Sequence, residues 1–217
     1  QLENEVFKNS YYKVPASLGE GVNWQNIIFR QATIQNHQLS INGGNDKTQL
    51  AMSANYFNQD GIVINSNFKR YSYRLNLDHK ISNRVKVGTS ILGSYSVNSG
   101  VQTGSTSQGD ADVVTGSILG AAIGAPPNLK PYRPDGSVFP FGEQEDGRYR
   151  EVTNPLGIAS VLNQTALKRT LVNLYGEATI LKGLTYRASF NADLQNNIAD
   201  RYSPRSIISV RDLNDNS

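Results

Sequence analysis

Arg70-Tyr71-Ser72-Tyr73-Arg74-Leu75-Asn76-Leu77-Asp78 alternates without a break between large apolar and polar residues. Successive side chains of an extended strand point to opposite faces. A strand therefore puts Tyr71, Tyr73, Leu75 and Leu77 on one side and Arg70, Ser72, Arg74, Asn76 and Asp78 on the other. A helix would mix the two sets, so this stretch predicts a strand with one apolar and one polar face.

The same period continues on both sides. Val85, Val87, Ile91, Tyr95 and Val97 alternate with Lys86, Gly88, Ser90, Ser94, Ser96 and Asn98, and only Leu92 breaks the polar row. Upstream, a strand near Gln35–Asn42 is expected to turn through Gly43-Gly44-Asn45-Asp46-Lys47 into one near Thr48–Phe57. Downstream, Lys168–Leu181 joins Leu184–Asn196 through Lys182-Gly183. In that last run Leu184, Tyr186, Ala188, Phe190, Ala192 and Leu194 oppose Thr185, Arg187, Ser189, Asn191, Asp193 and Gln195. Several runs reach the roughly 9–11 residues that a tilted strand needs to cross a bilayer, against about 5–6 for ordinary strands.

The connections alternate as well. Gly43–Lys47, Ile81–Asn83 and Lys182–Gly183 are tight, Asn58–Phe68 is longer, and Ser99 to Ala166 is very long. Short turns at one end and long loops at the other are the expected asymmetry of outer-membrane barrels. The predicted fold is thus all-β, an antiparallel up-and-down transmembrane β-barrel segment with long extracellular loops. A short loop helix is expected within Asp110–Ala125, with Asp110 or Asp112 near its start and Pro126-Pro127 stopping it. Gly116, Gly120 and Gly124 would let that helix pack closely.

Composition agrees with this reading. Of 217 residues 38% are hydrophobic and 18% charged, and the mean hydropathy is −0.44. No run of about 20 apolar residues exists, so no transmembrane helix is expected; a barrel wall needs only alternate apolar residues. A net charge of +3 with scattered Lys and Arg lacks the basic stripe of a nucleic-acid binder. There is no cysteine, which excludes disulfides and thiolate metal sites. The first residues, QLENEVFKNSYYKVP, have no apolar signal core, which implies a removed signal or a start inside a longer protein.

No catalytic constellation is found, and neither enzymatic activity nor a cofactor is expected. His37 and His79 lie in separate hairpins without zinc-ligand spacing. Asp110 and Asp112 begin like a calcium loop, but Val114 holds the third ligand position. No GxSxG elbow occurs.

Ordered blocks resemble the SusC/RagA-like TonB-linked outer-membrane transporters. Asn23-Trp24-Gln25-Asn26-Ile27-Ile28-Phe29-Arg30 is similar to a family block that usually begins with Asp. Asn36-His37-Gln38-Leu39-Ser40-Ile41 with Gly43-Gly44-Asn45, then Tyr56 to Ile62, then Arg70 to Asp78, follow in the family's order. Pro126-Pro127, Tyr132, Asp135-Gly136-Ser137, Asn154-Pro155-Leu156 and Lys182-Gly183-Leu184 extend the resemblance to about Tyr202. Such transporters have roughly 22 strands, so the resemblance implies an early piece of the barrel, without the plug. It implies residues 1–34 as an extracellular loop leading into the barrel, 35–98 as two barrel hairpins and 99–166 as a long extracellular loop with the short helix. Residues 167–196 would form a third hairpin and 197–217 the start of the next extracellular loop.

The resemblance also implies a function. The whole transporter would sit in the Gram-negative outer membrane and import a large nutrient, an oligosaccharide or oligopeptide. A SusD-like surface lipoprotein would cover it, TonB would act through the missing plug and N-terminal parts, and membrane lipid would surround it. Candidate substrate-binding residues are Arg74, Asn76, Arg187 and Asn191 on the polar strand faces, with Tyr132, Arg133, Phe139 and Tyr149 in the long loop. Phe141 is a further candidate platform, since aromatic faces with nearby polar groups suit sugars and peptides alike. Trp24 is open between an interfacial belt position and packing inside a loop. The alternatives are a passive porin or surface adhesin barrel, which shares the alternation, and a soluble carbohydrate-binding β-sandwich.

The loop asymmetry has a direct test. In the full-length protein on intact cells, Gly136→Cys is expected to react with an impermeant maleimide and Asn45→Cys is not. Labelling of Asn45→Cys alone inverts the topology.

Overall fold

The computed structural model describes residues 21–103, 117–144, 149 and 152–204. Six strands follow the alternation: β1 Ile34–Gly44, β2 Thr48–Asp60, β3 Asn67–Lys80, β4 Val85–Ser99, β5 Leu162–Leu181 and β6 Leu184–Tyr202. They form one sheet in chain order, each antiparallel to the next. β5 and β6 run 20 and 19 residues, longer than the alternation marks, because ladder pairing continues through Leu162↔Tyr202 where the side chains no longer alternate. Three short α-helices, α1 Trp24–Ile28, α2 Ile118–Gly124 and α3 Pro155–Ala159, and one 3-10 turn, Phe141–Glu143, complete the described elements.

Contacts divide the chain into two units. The sheet unit is Phe29–Gln102 with Ala159–Pro204. The loop unit comprises, among described residues, 21–28, 103, 117–144, 149 and 152–158.

Register decides the character of the sheet. Residues paired across an antiparallel ladder share a face, and the pairing strings the apolar positions of every strand into continuous rows. One row reads Ile41, Met52, Leu75, Ile91, Val172 and Ala192. Another reads Leu50, Leu77, Thr89, Leu174 and Phe190. The opposite face carries Ser40, Ser53, Arg74 and Asn42, Ala51, Asn76, Ser90, Asn173, Asn191 in equivalent rows. Leu92, the fault in the polar pattern, pairs with Leu171 of β5, so the two leucines cover one another on that face.

Two glycines let aromatic rings lie across the sheet. A Cβ at Gly93 would sit 2.2 Å from Cε1 of Tyr73, its cross-strand partner. A Cβ at Gly88 would lie 2.4 Å from both Asp78 Oδ1 and Tyr175 Cε1. Gly88 thus leaves the path along which the Tyr175 hydroxyl reaches over β4 and donates to Asp78 of β3. The last hairpin closes on Lys182-Gly183, where Gly183 takes φ 88°, a left-handed conformation that glycine adopts without steric cost.

Burial is inverted relative to a water-soluble sheet. Every residue of β1 is exposed, and β6 is exposed except at one position. Leu39, Phe190 and Leu194 on the apolar face stand 67%, 62% and 65% exposed. In the sheet unit only Val63, Val101 and Ala159 are buried hydrophobics among described residues. There is one sheet among the described residues, so the β-sandwich alternative, which needs a second sheet against the apolar face, does not hold. Along β6 the stretch Tyr186–Asn196, at about 3.4 Å per residue and a tilt near 40°, rises roughly 25 Å. That is the height of the outward apolar band of outer-membrane barrels.

An isolated sheet of this kind has an uncovered apolar face and two open edges, β1 and β6, and both invite association. The chain expressed alone in detergent-free buffer is expected in the void volume on size-exclusion chromatography. A monomer with one sharp thermal transition overturns this account of the sheet.

Candidate functional site

The polar face of the sheet gathers the strand candidates. Arg74, Asn191 and Asp193 line one depression of about 400 Å³ with Ser90 and Asn173, floored in part by Leu92 and Leu171. Asn76 sits beside it and accepts a hydrogen bond of 2.7 Å from Ser90 Oγ. Asn191 accepts from the Asn173 side-chain amide directly opposite. Arg169 donates twice to Asp193, from Nε at 3.0 Å and from a terminal nitrogen at 2.7 Å, a bidentate pair that holds both side chains flat on the sheet. Arg74 has no ion-pair partner among the described residues. Its guanidinium is therefore the uncommitted cation of this depression, next to an amide pair.

Arg187 lies further along β6 and is engaged. It faces Glu177 at 3.9 Å and lies over the Tyr175 ring at 4.3 Å. Lys86 approaches the same ring at 5.6 Å and Asp78 at 3.6 Å. Tyr175 is thereby clamped between two cations while its hydroxyl bonds Asp78. Exposed ion pairs of this sort contribute only ~0–1 kcal/mol each, so their effect is on orientation. Alternation puts Asp78, Lys86, Arg187 and Asp193 on polar faces but does not single out Arg169, Asn173, Tyr175 and Glu177. Leu167 and Leu171 on the polar face blur the period in β5, and only the register with β4 assigns its sides.

The loop unit has a compact core instead. Ser117 caps α2 by accepting from Gly120 N at 3.3 Å, and its hydroxyl donates to Thr103 O at 2.7 Å. The described helix accordingly starts at Ile118; Asp110, Asp112 and Val114 lie outside the described residues. It ends at Gly124, ahead of the two prolines as expected. Pro126 O accepts from Trp24 Nε1 at 3.0 Å, and Pro127 O accepts from Val22 N at 2.7 Å. Trp24, 3% exposed, meets Phe141 edge-on with centroids 5.2 Å apart. Of the two positions open to Trp24, loop packing holds. Phe141 is 1% exposed and so offers no platform.

The remaining loop candidates sit on a small hairpin. Tyr132 bridges to Val138, and Arg133 N donates to Ser137 O at 2.8 Å. Gly136, φ 83°, turns the chain between them. The Ser137 hydroxyl and backbone N–H both donate to Asp135, at 2.7 and 2.9 Å, and hold its carboxyl below the usual carboxylate range. Arg133 donates to Glu143 at 2.5 Å and to Ser137 Oγ at 3.2 Å, and its guanidinium covers the Phe139 ring at 5.4 Å. Tyr132 is left 47% exposed, and Tyr149 is half-buried.

Two side-chain amides fasten this hairpin. Asn154 donates to Pro131 O at 3.1 Å and Phe139 O at 2.9 Å, and accepts from Leu156 N at 2.9 Å. Gln144 donates to Lys130 O at 3.1 Å and accepts from Lys130 N at 2.9 Å. Asn154-Pro155 is legible as a turn start; no local signal marks Gln144.

No protein-family profile matches the chain. It is 29% identical over 210 residues to TonB-dependent receptor P3 of Formosa agariphila, across 94% of this chain and 19% of that receptor. It is 28% identical over 182 residues to TonB-dependent receptor P26 of the same organism, across 83% of this chain and 17% of that receptor. A 66-residue stretch is 42% identical to TonB-dependent receptor SusC of Bacteroides thetaiotaomicron, across 30% of this chain and 7% of SusC. The RagAB peptide importer in its open-open state superposes with TM-score 0.65 at 25% identity, over 84% of this chain and 20% of that one. Its closed-closed state gives 0.62 at 24%. The chain spans about a fifth of the length of the curated relatives it matches along most of its own length. The resemblance read from the sequence blocks holds: this chain is similar to a β-barrel segment of TonB-dependent receptors of the SusC/RagA kind.

Removing the Asn154 amide takes its acceptor from the buried Leu156 N–H and one donor each from Pro131 O and Phe139 O, which keep Phe139 N and Gln144 Nε2 as partners. Asn154→Ala in the full-length protein is expected to destabilise the loop unit by about 1–3 kcal/mol and speed its limited proteolysis, with the barrel still heat-modifiable. Tyr132→Ala, at an exposed site, is expected to leave the cleavage rate unchanged.

Proposed function

We propose that this chain forms wall, lumen surface and extracellular loops of a TonB-dependent importer in the Gram-negative outer membrane, which takes up a large nutrient, an oligosaccharide or oligopeptide. The observation that supports it best is a single meander whose apolar side chains fall mainly on one exposed face and whose charged and amide side chains fall mainly on the other, with Leu92, Leu167 and Leu171 on the polar face and Lys168 on the apolar face as exceptions. Lipid satisfies the first face, and a water-filled lumen satisfies the second.

In this reading Arg74, Asn76, Arg187 and Asn191 look into the lumen. Arg74 supplies an uncommitted guanidinium, suited to a peptide carboxylate or a sugar hydroxyl, beside the Asn173–Asn191 amide pair. Arg187 keeps the Tyr175 ring upright and contributes to the field of the lumen more than to direct contact. Tyr132, Arg133, Phe139 and Tyr149 belong to the extracellular loops, where Tyr132 offers the open ring and Arg133 stiffens the hairpin under it. A SusD-like surface lipoprotein over these loops and TonB acting through the plug complete the assembly. The work of the chain is selective passage, with no covalent step. A passive porin shares the wall but not the likeness to TonB-dependent receptors.

The facing assignment and the activity are tested together in the full-length protein. Leu75→Arg puts a charge on the lipid side at a cost of roughly 2–4 kcal/mol and is expected to abolish outer-membrane insertion, whereas Asn76→Arg inserts normally. Arg74→Ala is expected to insert normally and to lower TonB-dependent uptake of labelled oligopeptide or oligosaccharide mixtures several-fold. Equal insertion of the two arginine variants refutes the facing assignment, and uptake that persists without TonB selects the porin.

A further inference from the structure

One row of the apolar face differs from the others. In register across five strands it reads His37, Tyr56, Tyr71, Tyr95 and Lys168. The rings lean on one another: His37 stacks on Tyr56 at 6.2 Å and 14°, and Tyr56 meets Tyr71 at 5.1 Å. Lys168 Nζ stands 5.6 Å from the Tyr95 ring centre. The row lies toward the long-loop ends of the strands. The rows on its other side, from Leu39, Ala54, Tyr73 and Leu194 down to Tyr186, contain no Lys, Arg, Asp or Glu.

Between the aromatic row and the next runs an open groove of about 640 Å³, within the roughly 300–1,000 Å³ of sites that take small molecules. Its second wall is low, because Ala54, Gly93 and Thr170 stand there with only Tyr73 rising between them. Lys168 stands at one end of this groove and is exposed. It pairs with no carboxylate among the described residues. Lys69 stands one row further out and does not line the groove, so Lys168 is the cation of the groove.

We infer that this groove holds an anionic lipid of the surrounding leaflet, its phosphate on Lys168 beside the tyrosine hydroxyls and an acyl chain along the low wall over Ala54 and Thr170. Charge complementarity selects the occupant. An ammonium at the border of apolar rows that carry no other charge is costly in hydrocarbon and is satisfied by a headgroup phosphate at the interface. The aromatic row gives the depth, since tyrosine rings settle at headgroup level with the ring in the apolar zone and the hydroxyl in the polar one. This inference rests on the reading of the sheet as a membrane wall.

The test is native mass spectrometry of the full-length protein in detergent, titrated with phosphatidylglycerol, phosphatidylcholine or inorganic phosphate. Lys168→Gln is expected to weaken phosphatidylglycerol binding about fivefold and to leave phosphatidylcholine unchanged. Ala54→Leu, which fills the acyl seat, is expected to weaken both lipids, and inorganic phosphate alone is expected not to bind. Equal phosphatidylglycerol binding by wild type and Lys168→Gln overturns the site. So does a lipid-free dimer lost in the same variant, which gives the groove to a second copy of the chain. Outer-membrane fractionation of the same variants separates the two readings. A protein absent from the membrane sinks the wall itself, whereas an inserted protein indifferent to Lys168→Gln sinks only the lipid site.

Discussion

Side-chain direction along a strand has a period of two, and every property of this sheet depends on how six such periods are brought into phase. A slip of one residue between any two strands would carry a whole apolar row to the other face. The cost of such a slip is what holds the register, and it is large only where the two faces meet different media. Specific contacts add to it. Tyr73 lies across Gly93, Tyr175 crosses Gly88 to Asp78, and Lys182-Gly183 closes the last hairpin in two residues. The two ring crossings work in one register only, because a glycine must stand where the ring passes.

The two units answer the problem of burial differently. In the sheet unit the backbone is satisfied by the ladders while the large apolar side chains stay uncovered, so the unit has almost no interior of its own. In the loop unit Trp24, Ile118, Leu129 and Phe141 are buried, and backbone carbonyls that no ladder reaches are satisfied by Asn154, Gln144 and the Trp24 indole. The loop unit buries a small apolar core, whereas the sheet leaves its apolar face uncovered. That contrast explains why a chain of low mean hydropathy can still present a broad apolar surface.

Much of this was legible in advance, and the exceptions are instructive. The six strands and their order of connection follow from alternation together with the turn residues, and the polar-face placement of Arg74, Asn76, Arg187 and Asn191 follows from alternation alone. Leu92 read as a fault because its partner, Leu171, lies far along the chain. The polar set of β5 was hidden for the same reason. Ser117 caps the described helix Ile118–Gly124, since several residues before an apolar run can serve as caps and only the local packing selects one; the starts expected at Asp110 or Asp112 lie outside the described residues. Phe141 was a plausible platform by composition, and it is buried because Trp24, more than a hundred positions away, lies edge-on against it.

The sequence by itself determined the period, the lengths of the strands relative to a bilayer, the places of the turns and the split into an apolar and a polar face. Those are local quantities, set by the stereochemistry of an extended chain and the chemistry of adjacent residues. Only the tertiary structure decided which side chains share a row: that His37, Tyr56, Tyr71, Tyr95 and Lys168 stand in one line, that Arg74 and Asn191 border one depression while Arg187 is held by Glu177, and that Trp24 closes on Phe141. Those groupings depend on pairings between segments distant in the chain. The free energy that selects them is spread over whole ladders and a shared core, so no short stretch of residues reveals it.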